Sequence, residues 1–342
     1  IASVTSDAAT LTAANTAADA TASAEVVVAG QTFTLTTGVD NLKGGAGADS
    51  ILGTIDTTTV ANNTYAVSDV IDGGAGADTL QVAVNNSTAT TYTPALVSGV
   101  ETFRVINLDA EDAIAFDLIS TSGVTKAEIQ ASVKGASFDN LTVGTAISAT
   151  ANQAAVDFGF KAAELTGAED SFDLTLNSNS AAVTVATDGA GFESGSITAI
   201  GVNGTRAYVG AGADLKTITI GGTGSIGFNG GALANVTHFD ASENSGGVVF
   251  DGQGDNSTIT GGSGNDLLTE GGGNDVMTGG AGHDTLVGGT GNDHIDGGAG
   301  NDAFSLSNVN ENDTVAGGDG VDTLSLGTAI AYTSTNTDDG SN

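Results

Sequence analysis

The sequence predicts an all-β chain wound as a parallel β-solenoid, and three observations carry that reading. A nine-residue period of glycine, aspartate and one large apolar residue runs through both ends of the chain. Short alternating runs separated by Gly, Asn, Asp and Ser fill the middle. Helical periodicity is almost missing from 342 residues that include 52 glycines and a single proline, Pro94.

The elements follow in order. Residues 1–34 read as an Ala/Thr-rich connector or a short helix over about Asp7 to Ala20, with a first strand after it. Residues 35–94 hold the fainter repeats: LTTGVDNLK from Leu35, GGAGADSIL from Gly44, an eleven-residue insertion, TYAVSDVID from Thr64 and GGAGADTLQ from Gly73. Over 95–250 the period is lost. Short strands are expected there at Val100–Ile106, Ala113–Leu118, Ala127–Val133, Ser171–Leu176, Ala182–Ala186, Ser196–Ile200, Lys216–Ile220 and Val248–Phe250. This irregular β-rich middle is expected to continue the solenoid rather than form an inserted sandwich, with Ala151 to Ala163 as a helical interruption.

Residues 251–326 carry the strong repeats. GQGDNSTIT, with Ser257 where aspartate belongs, opens them as a cap. GGSGNDLLT, EGGGNDVMT, GGAGHDTLV, GGTGNDHID and GGAGNDAFS follow from residues 261, 270, 279, 288 and 297. After a two-residue slip come NVNENDTVA from 308 and GGDGVDTLS from 317. Residues 327–342 read as a polar tail.

The eighth position of the eleven aspartate-bearing units is always large and apolar: Leu42, Ile51, Ile71, Leu80, Leu268, Met277, Leu286, Ile295, Phe304, Val315 and Leu324. Side chains alternate across a strand, so a three-residue strand at positions seven to nine points its eighth residue inward. The preceding G-G-x-G-x-D must reverse the chain, and glycine tolerates the positive φ this demands. Two units then make one coil of eighteen residues, with a turn on each edge.

Aspartates eighteen residues apart therefore stack along one edge, about 4.8 Å apart. On one edge Asp266 pairs with Asp284, Asp284 with Asp302 and Asp302 with Asp322; on the other Asp275 pairs with Asp293 and Asp293 with Asp313. Near the N-terminus the frame pairs Asp40 with Asp69 and Asp49 with Asp78. Stacked carboxylates repel unless a cation lies between them. Calcium takes six to eight oxygens at roughly 2.3–2.6 Å, a set that aspartate oxygens and turn carbonyls can supply from two adjacent coils. The candidate metal residues are these aspartates with Gly261, Gly264, Gly279, Gly282, Gly288, Gly291, Gly297 and Gly300, for about seven calcium ions. A weaker frame at Val209 to Thr217 offers Asp214, with Lys216 where the core residue should stand.

These units resemble the RTX (repeats-in-toxin) family, whose G-G-x-G-x-D-x-U-x nonapeptide is a calcium-binding β-roll repeat. The resemblance is strong over 261–325 and fainter over 35–81. It implies a calcium-loaded β-roll, export by a type I secretion system and folding outside the cell. Glycine is replaced at Glu270, at Asn308 and in the unit from Thr64, where a looser turn and a weaker ion are expected.

Composition narrows the function classes. Seven Lys plus Arg stand against 41 Asp plus Glu, for a net charge of -34, which disfavours nucleic acid and anionic membranes and favours cations. With 39% hydrophobic residues the chain is expected to fold rather than remain an acidic disordered tail. It shows neither a signal peptide nor an apolar run long enough to span a membrane, and it reads as a piece of a longer protein. No H-E-x-x-H, no G-x-S-x-G and no cysteine occurs, and His238, His283 and His294 lack a metal partner at helical spacing, so no enzyme is expected. His283 and His294 read as surface filling.

The middle phrases LVSGVETFRVI, LKTITIGG and NVTHFDAS are similar to the β-rich bodies of RTX-type bacterial surface-layer (S-layer) proteins. That similarity implies a secreted structural protein of the bacterial cell surface whose copies self-assemble into a calcium-bridged lattice, with a cell-surface glycan as a further partner through parts outside this chain. The alternatives are a segment of a large RTX adhesin and the C-terminal part of an exported RTX enzyme.

Overall fold

The computed structural model describes residues 29–327 apart from 89–90, 95, 168, 188–190, 202–206, 211–213, 229–232, 253–255, 307–308 and 311. The helix considered for Asp7 to Ala20 and the tail beyond Gly327 lie outside the described residues. The chain winds as one right-through parallel solenoid. Every second strand, apart from one step that skips both Thr91–Tyr92 and Leu96–Ser98, joins a fourteen-stranded sheet that starts at Thr32–Thr34 and ends at Thr314–Ala316. The opposite face is divided into a three-stranded sheet near the N-terminus and two six-stranded sheets. All described strand pairs within these sheets are parallel.

Period-two burial explains why these runs become strands. Ser50–Asp56 and Thr79–Asn86 place Ile51, Ile55, Leu80, Val82 and Val84 inside, all fully buried, with their neighbours turned outward. In-register pairing then stacks like on like. On the long face Phe172, Gly195, Ile218, Phe239, Ile259, Met277 and Ile295 form one inward row. On the opposite face Phe250, Leu268, Leu286 and Phe304 form another. Each side chain therefore covers the one below it, which no isolated coil could do for itself.

Coil length varies along the axis. Thr258 pairs with Val276 and Val276 with His294, an eighteen-residue step, whereas Ser171 pairs with Ser194 and Lys126 with Ala146 in the longer coils of the middle. The eleven-residue insertion stretches the step from Ser50 to Thr79. It loops out through the 3₁₀ turn Val60–Asn62 and is tied down by Asp56, whose Oδ1 accepts from the Thr58 and Thr59 amides at 3.2 and 2.8 Å.

Two expectations need correction. Ala151 to Ala163 is not a helical interruption: it contains the strand Val156–Phe160, and only Ala162–Glu164 forms a 3₁₀ turn. Val156, Phe158 and Phe160 alternate into the core, and Phe158 stacks on Phe138 at 6.2 Å, so interior packing overrides the helical preference of alanine. Second, not every eighth residue is buried. Val315 and Leu324 are 37% and 50% exposed, because they sit in the last described coil and no described coil covers them; Leu42, near the other end, is partly buried.

Candidate cation-binding edges

Each glycine-rich turn brings its aspartate back under the chain. A Cβ at Gly279 would lie 2.5 Å from Asp284 Oδ2 and 2.6 Å from the Gly297 carbonyl of the next coil. The same cradle recurs at Gly297, bounded by Asp302 Oδ2 and the Gly317 carbonyl at 2.5 and 2.6 Å. Only glycine leaves that space open. Gly282, at φ +120°, then makes the reversal that other residues rarely adopt.

The structure joins all seven aspartate pairs read from the spacing. In each, the backbone N–H of the first aspartate donates to Oδ1 of the second. The distances are 2.9 Å for Asp266 to Asp284, 2.9 Å for Asp284 to Asp302 and 3.0 Å for Asp302 to Asp322. On the other edge they are 3.1 Å for Asp275 to Asp293 and 2.8 Å for Asp293 to Asp313. Near the N-terminus Asp40 donates to Asp69 at 3.0 Å and Asp49 to Asp78 at 2.6 Å. The Ser257 amide donates to Asp275 without adding a carboxylate, as a cap would.

These carboxylates are dry. Asp49, Asp69, Asp78, Asp266, Asp275, Asp284, Asp293 and Asp302 are all buried, while Asp40, Asp313 and Asp322 at the ends are half-buried. The second oxygen of Asp49 and of Asp266 accepts from its own turn, from Gly45 at 2.8 Å and Gly262 at 2.7 Å. Oδ2 of Asp78, Asp284 and Asp302 is buried with no donor at all. A buried, unpartnered charged oxygen is costly. Burial, reinforced by the charges of Asp266 and Asp302, pushes the Asp284 carboxyl up to about 7, and burial also raises Asp266 and Asp78. Stacked carboxylate oxygens and turn carbonyls around an open cradle form an all-oxygen donor set suited to a hard divalent cation. Gly261, Gly264, Gly288, Gly291 and Gly300 lie in the same turns, with Gly291 and Gly300 at φ +146° and +150°.

The turns that lack a standard glycine are not loose. In the unit from Thr64 the Ala66 amide donates to Asp69 Oδ2 at 2.8 Å. In the unit from 308 the Asn310 amide donates to Asp313 Oδ2 at 2.7 Å and the Asn312 amide to Asn310 Oδ1 at 2.8 Å. Glu270 is buried, with Oε1 accepting from the Gly289 amide at 3.1 Å.

Two features escaped the sequence reading. A second ladder runs outside the aspartates at the fifth repeat position: Asn265 to His283 at 2.8 Å, His283 to Asn301 at 2.9 Å and Asn301 to Val321 at 2.8 Å, each a side-chain acceptor for the next coil's amide. His283 is thus more than surface filling, since its Nδ1 takes the place of an asparagine oxygen. The aspartate ladder also continues into glutamates. The Asp78 amide donates to Glu101 Oε2 and the Asp170 amide to Glu193 Oε2, both at 2.7 Å. The available signal was an acid directly preceding a long-face strand, as Glu101 precedes Thr102 and Glu193 precedes Ser194. Asp214 does not join the roll: it is exposed, its Oδ2 accepts from the Gly191 amide at 3.1 Å, and Leu215 rather than Lys216 turns inward beside it.

A polar groove of about 340 Å³ is lined by Asp139, Asn140, Gly159, Phe160, Ala186 and Thr187, a set without histidine or an activated nucleophile. Among the described residues no helix is long and apolar enough to cross a membrane.

Fold and edges together define a β-roll protein whose turns are built as nonapeptide cation sites. A family model described as the RTX calcium-binding nonapeptide repeat (4 copies) matches residues 34–56, 68–82, 249–277, 271–304 and 310–328, so the chain carries repeats of this type toward both ends. No curated protein matches the chain.

Proposed function

We propose that the chain is a calcium-binding structural protein of the bacterial cell surface, which folds on calcium outside the cell and assembles with its own copies into a surface layer. The observation that carries this reading is the double row of buried carboxylates with donor-free oxygens, Asp284 and Asp302 above all. Such a roll is self-repelling without cations and rigid with them, so it suits an exterior rich in calcium. Type I export of the unfolded chain fits the same logic. Aspartates 40, 49, 69, 78, 266, 275, 284, 293, 302, 313 and 322 are the proposed side-chain ligands, with turn carbonyls completing about seven sites.

The lattice reading is supported by the surface. Forty-one acidic against seven basic residues make neighbouring copies repel until divalent ions bridge them. A segment of a large adhesin is the second reading, favoured by the unbroken fourteen-stranded sheet, which makes a stiff spacer. Electron microscopy of the purified protein with millimolar calcium and with excess chelator separates them. Ordered arrays that form only with calcium are expected for a layer protein. Dispersed rods in both conditions, together with glycan binding, would instead identify the adhesin.

A further inference from the structure

The unit that breaks the repeat is the one that gathers the most charge. Glu270 occupies the position held by glycine at Gly261, Gly279, Gly288 and Gly297. Its side chain is 4% exposed and turns into the edge between two coils. One oxygen of each of Glu270, Asp275 and Asp293 lies within 4.8 Å of the others, and all three residues are buried. Among the described residues, the salt bridges lie elsewhere, at Lys43, Arg104, Lys126 and Lys161.

The partners of these oxygens are unevenly distributed. Glu270 Oε1 accepts from the Gly289 amide and Asp293 Oδ1 from the Asp275 amide, both at 3.1 Å. Glu270 Oε2 is buried without any donor. An acid side chain kept in a dry, like-charged site at this cost calls for a positive ligand.

We propose that Glu270 joins the Asp275/Asp293 pair as a third carboxylate ligand for one hard cation, which makes this site tighter than the two-aspartate sites around it. Its ligand class is a divalent ion of calcium type. The inference rests on the calcium reading above and adds a residue that the repeat motif does not contain. Affinity in oxygen sites rises with ligand charge, so this site fills first as calcium increases and empties last under chelation. It therefore fixes the roll at its second strong unit, ahead of the sites toward Asp322.

The test is calorimetric calcium titration of the full chain as wild type, E270G and E270Q at neutral pH. E270G restores the glycine of the neighbouring repeats, and E270Q keeps the shape without the charge. Both variants are expected to lose one high-affinity event, with its affinity falling about tenfold or more, and to keep the remaining events and chelator-reversible folding. Superimposable titrations would overturn the proposal and leave the general calcium reading intact. One ion more in E270G than in the wild type would also overturn it, because the glutamate would then be filling a cradle in place of an ion. Absence of calcium binding by the wild type would remove both readings together.

Discussion

The C-terminal roll and the middle of the solenoid share one sheet and one inward row, yet their edges are built from different chemistry. In the middle the Asn107 amide donates to Ser132 Oγ at 2.9 Å, the Ser132 amide to Asn152 Oδ1 at 3.0 Å, and the Asn152 amide to Asn179 Oδ1 at 3.2 Å. This is the geometry of the aspartate ladder with neutral acceptors. Asparagine also brings donors: Asn152 Nδ2 reaches the Ile129 carbonyl at 2.9 Å and Asn179 Nδ2 the Ala149 carbonyl at 2.6 Å. Aspartate has no such donor: its second oxygen accepts from its own turn, as in Asp266, or lacks a donor, as in Asp284 and Asp302, and the facing turn carbonyls are open to a cation. On the calcium reading proposed above, the amide of asparagine does permanently in the middle what calcium does conditionally in the roll.

The interiors differ in the same sense. The middle stacks Tyr92, Phe116, Phe138 and Phe158 on the face opposite the long sheet, with Phe103 packed against Phe116 and Phe138 at 5.5 Å each. In the roll each nine-residue unit supplies one aliphatic or aromatic residue, such as Met277, Leu286 or Ile295. Short coils bury less apolar surface per residue, and their stability is correspondingly more dependent on what lies at the edges.

The largest effect that would break this contrast comes from chelation. Excess chelator is expected to unfold residues 261–325 and leave the middle folded, so limited proteolysis followed by mass spectrometry should cut between Gly261 and Ser325 only when calcium is removed. Protection of the roll in chelator, or an unchanged circular-dichroism β signal, would refute the division.

Next in size is the core of the middle. Phe138→Ala should cost about 3–5 kcal/mol, the usual loss for a fully buried phenylalanine, and by the same amount with calcium and with chelator. Chemical denaturation under both conditions measures it. A calcium-dependent cost would show that the two regions are energetically one.

The smallest effect is the sharpest in sign. Asp284→Asn keeps the acceptor for the Asp266 amide but removes the charge. The Asp284 carboxyl titrates near 7 in the ion-free fold, above its unfolded value of 3.8. Its protonation therefore supports that fold fully below about pH 4, and the support is lost as pH rises toward 7. In chelator at pH 8 the variant should melt above the wild type, by about 1–3 kcal/mol of stability. In millimolar calcium the order reverses, and the wild type loses calcium affinity as pH falls below 7. Melts at pH 5 and 8 with each additive decide it.

Much of the edge was legible from spacing alone. The aspartate at position six and the apolar residue at position eight are local requirements of a turn and a three-residue strand, and stacking by eighteen follows from two such units per coil. Seven pairs from Asp40/Asp69 to Asp302/Asp322 could be named for that reason. Glu101 and Glu193 were hidden because their coils have other lengths, so no fixed interval leads to them. The strand at Val156–Phe160 was hidden because alanine-rich flanks carry helical preference, and only the Phe138 ring beneath Phe158 shows which period wins.

By itself the sequence determined the β class, the repeat, the aspartate edges and the chemical kind of ion they suit, since each is set within nine residues. Only the tertiary structure decided that one sheet runs through the aperiodic middle, that asparagine there replaces aspartate, and that Glu270 joins Asp275 and Asp293. Those features depend on which coil lies above which. That register is fixed by side chains stacking across about twenty residues of chain, a distance no local pattern encodes.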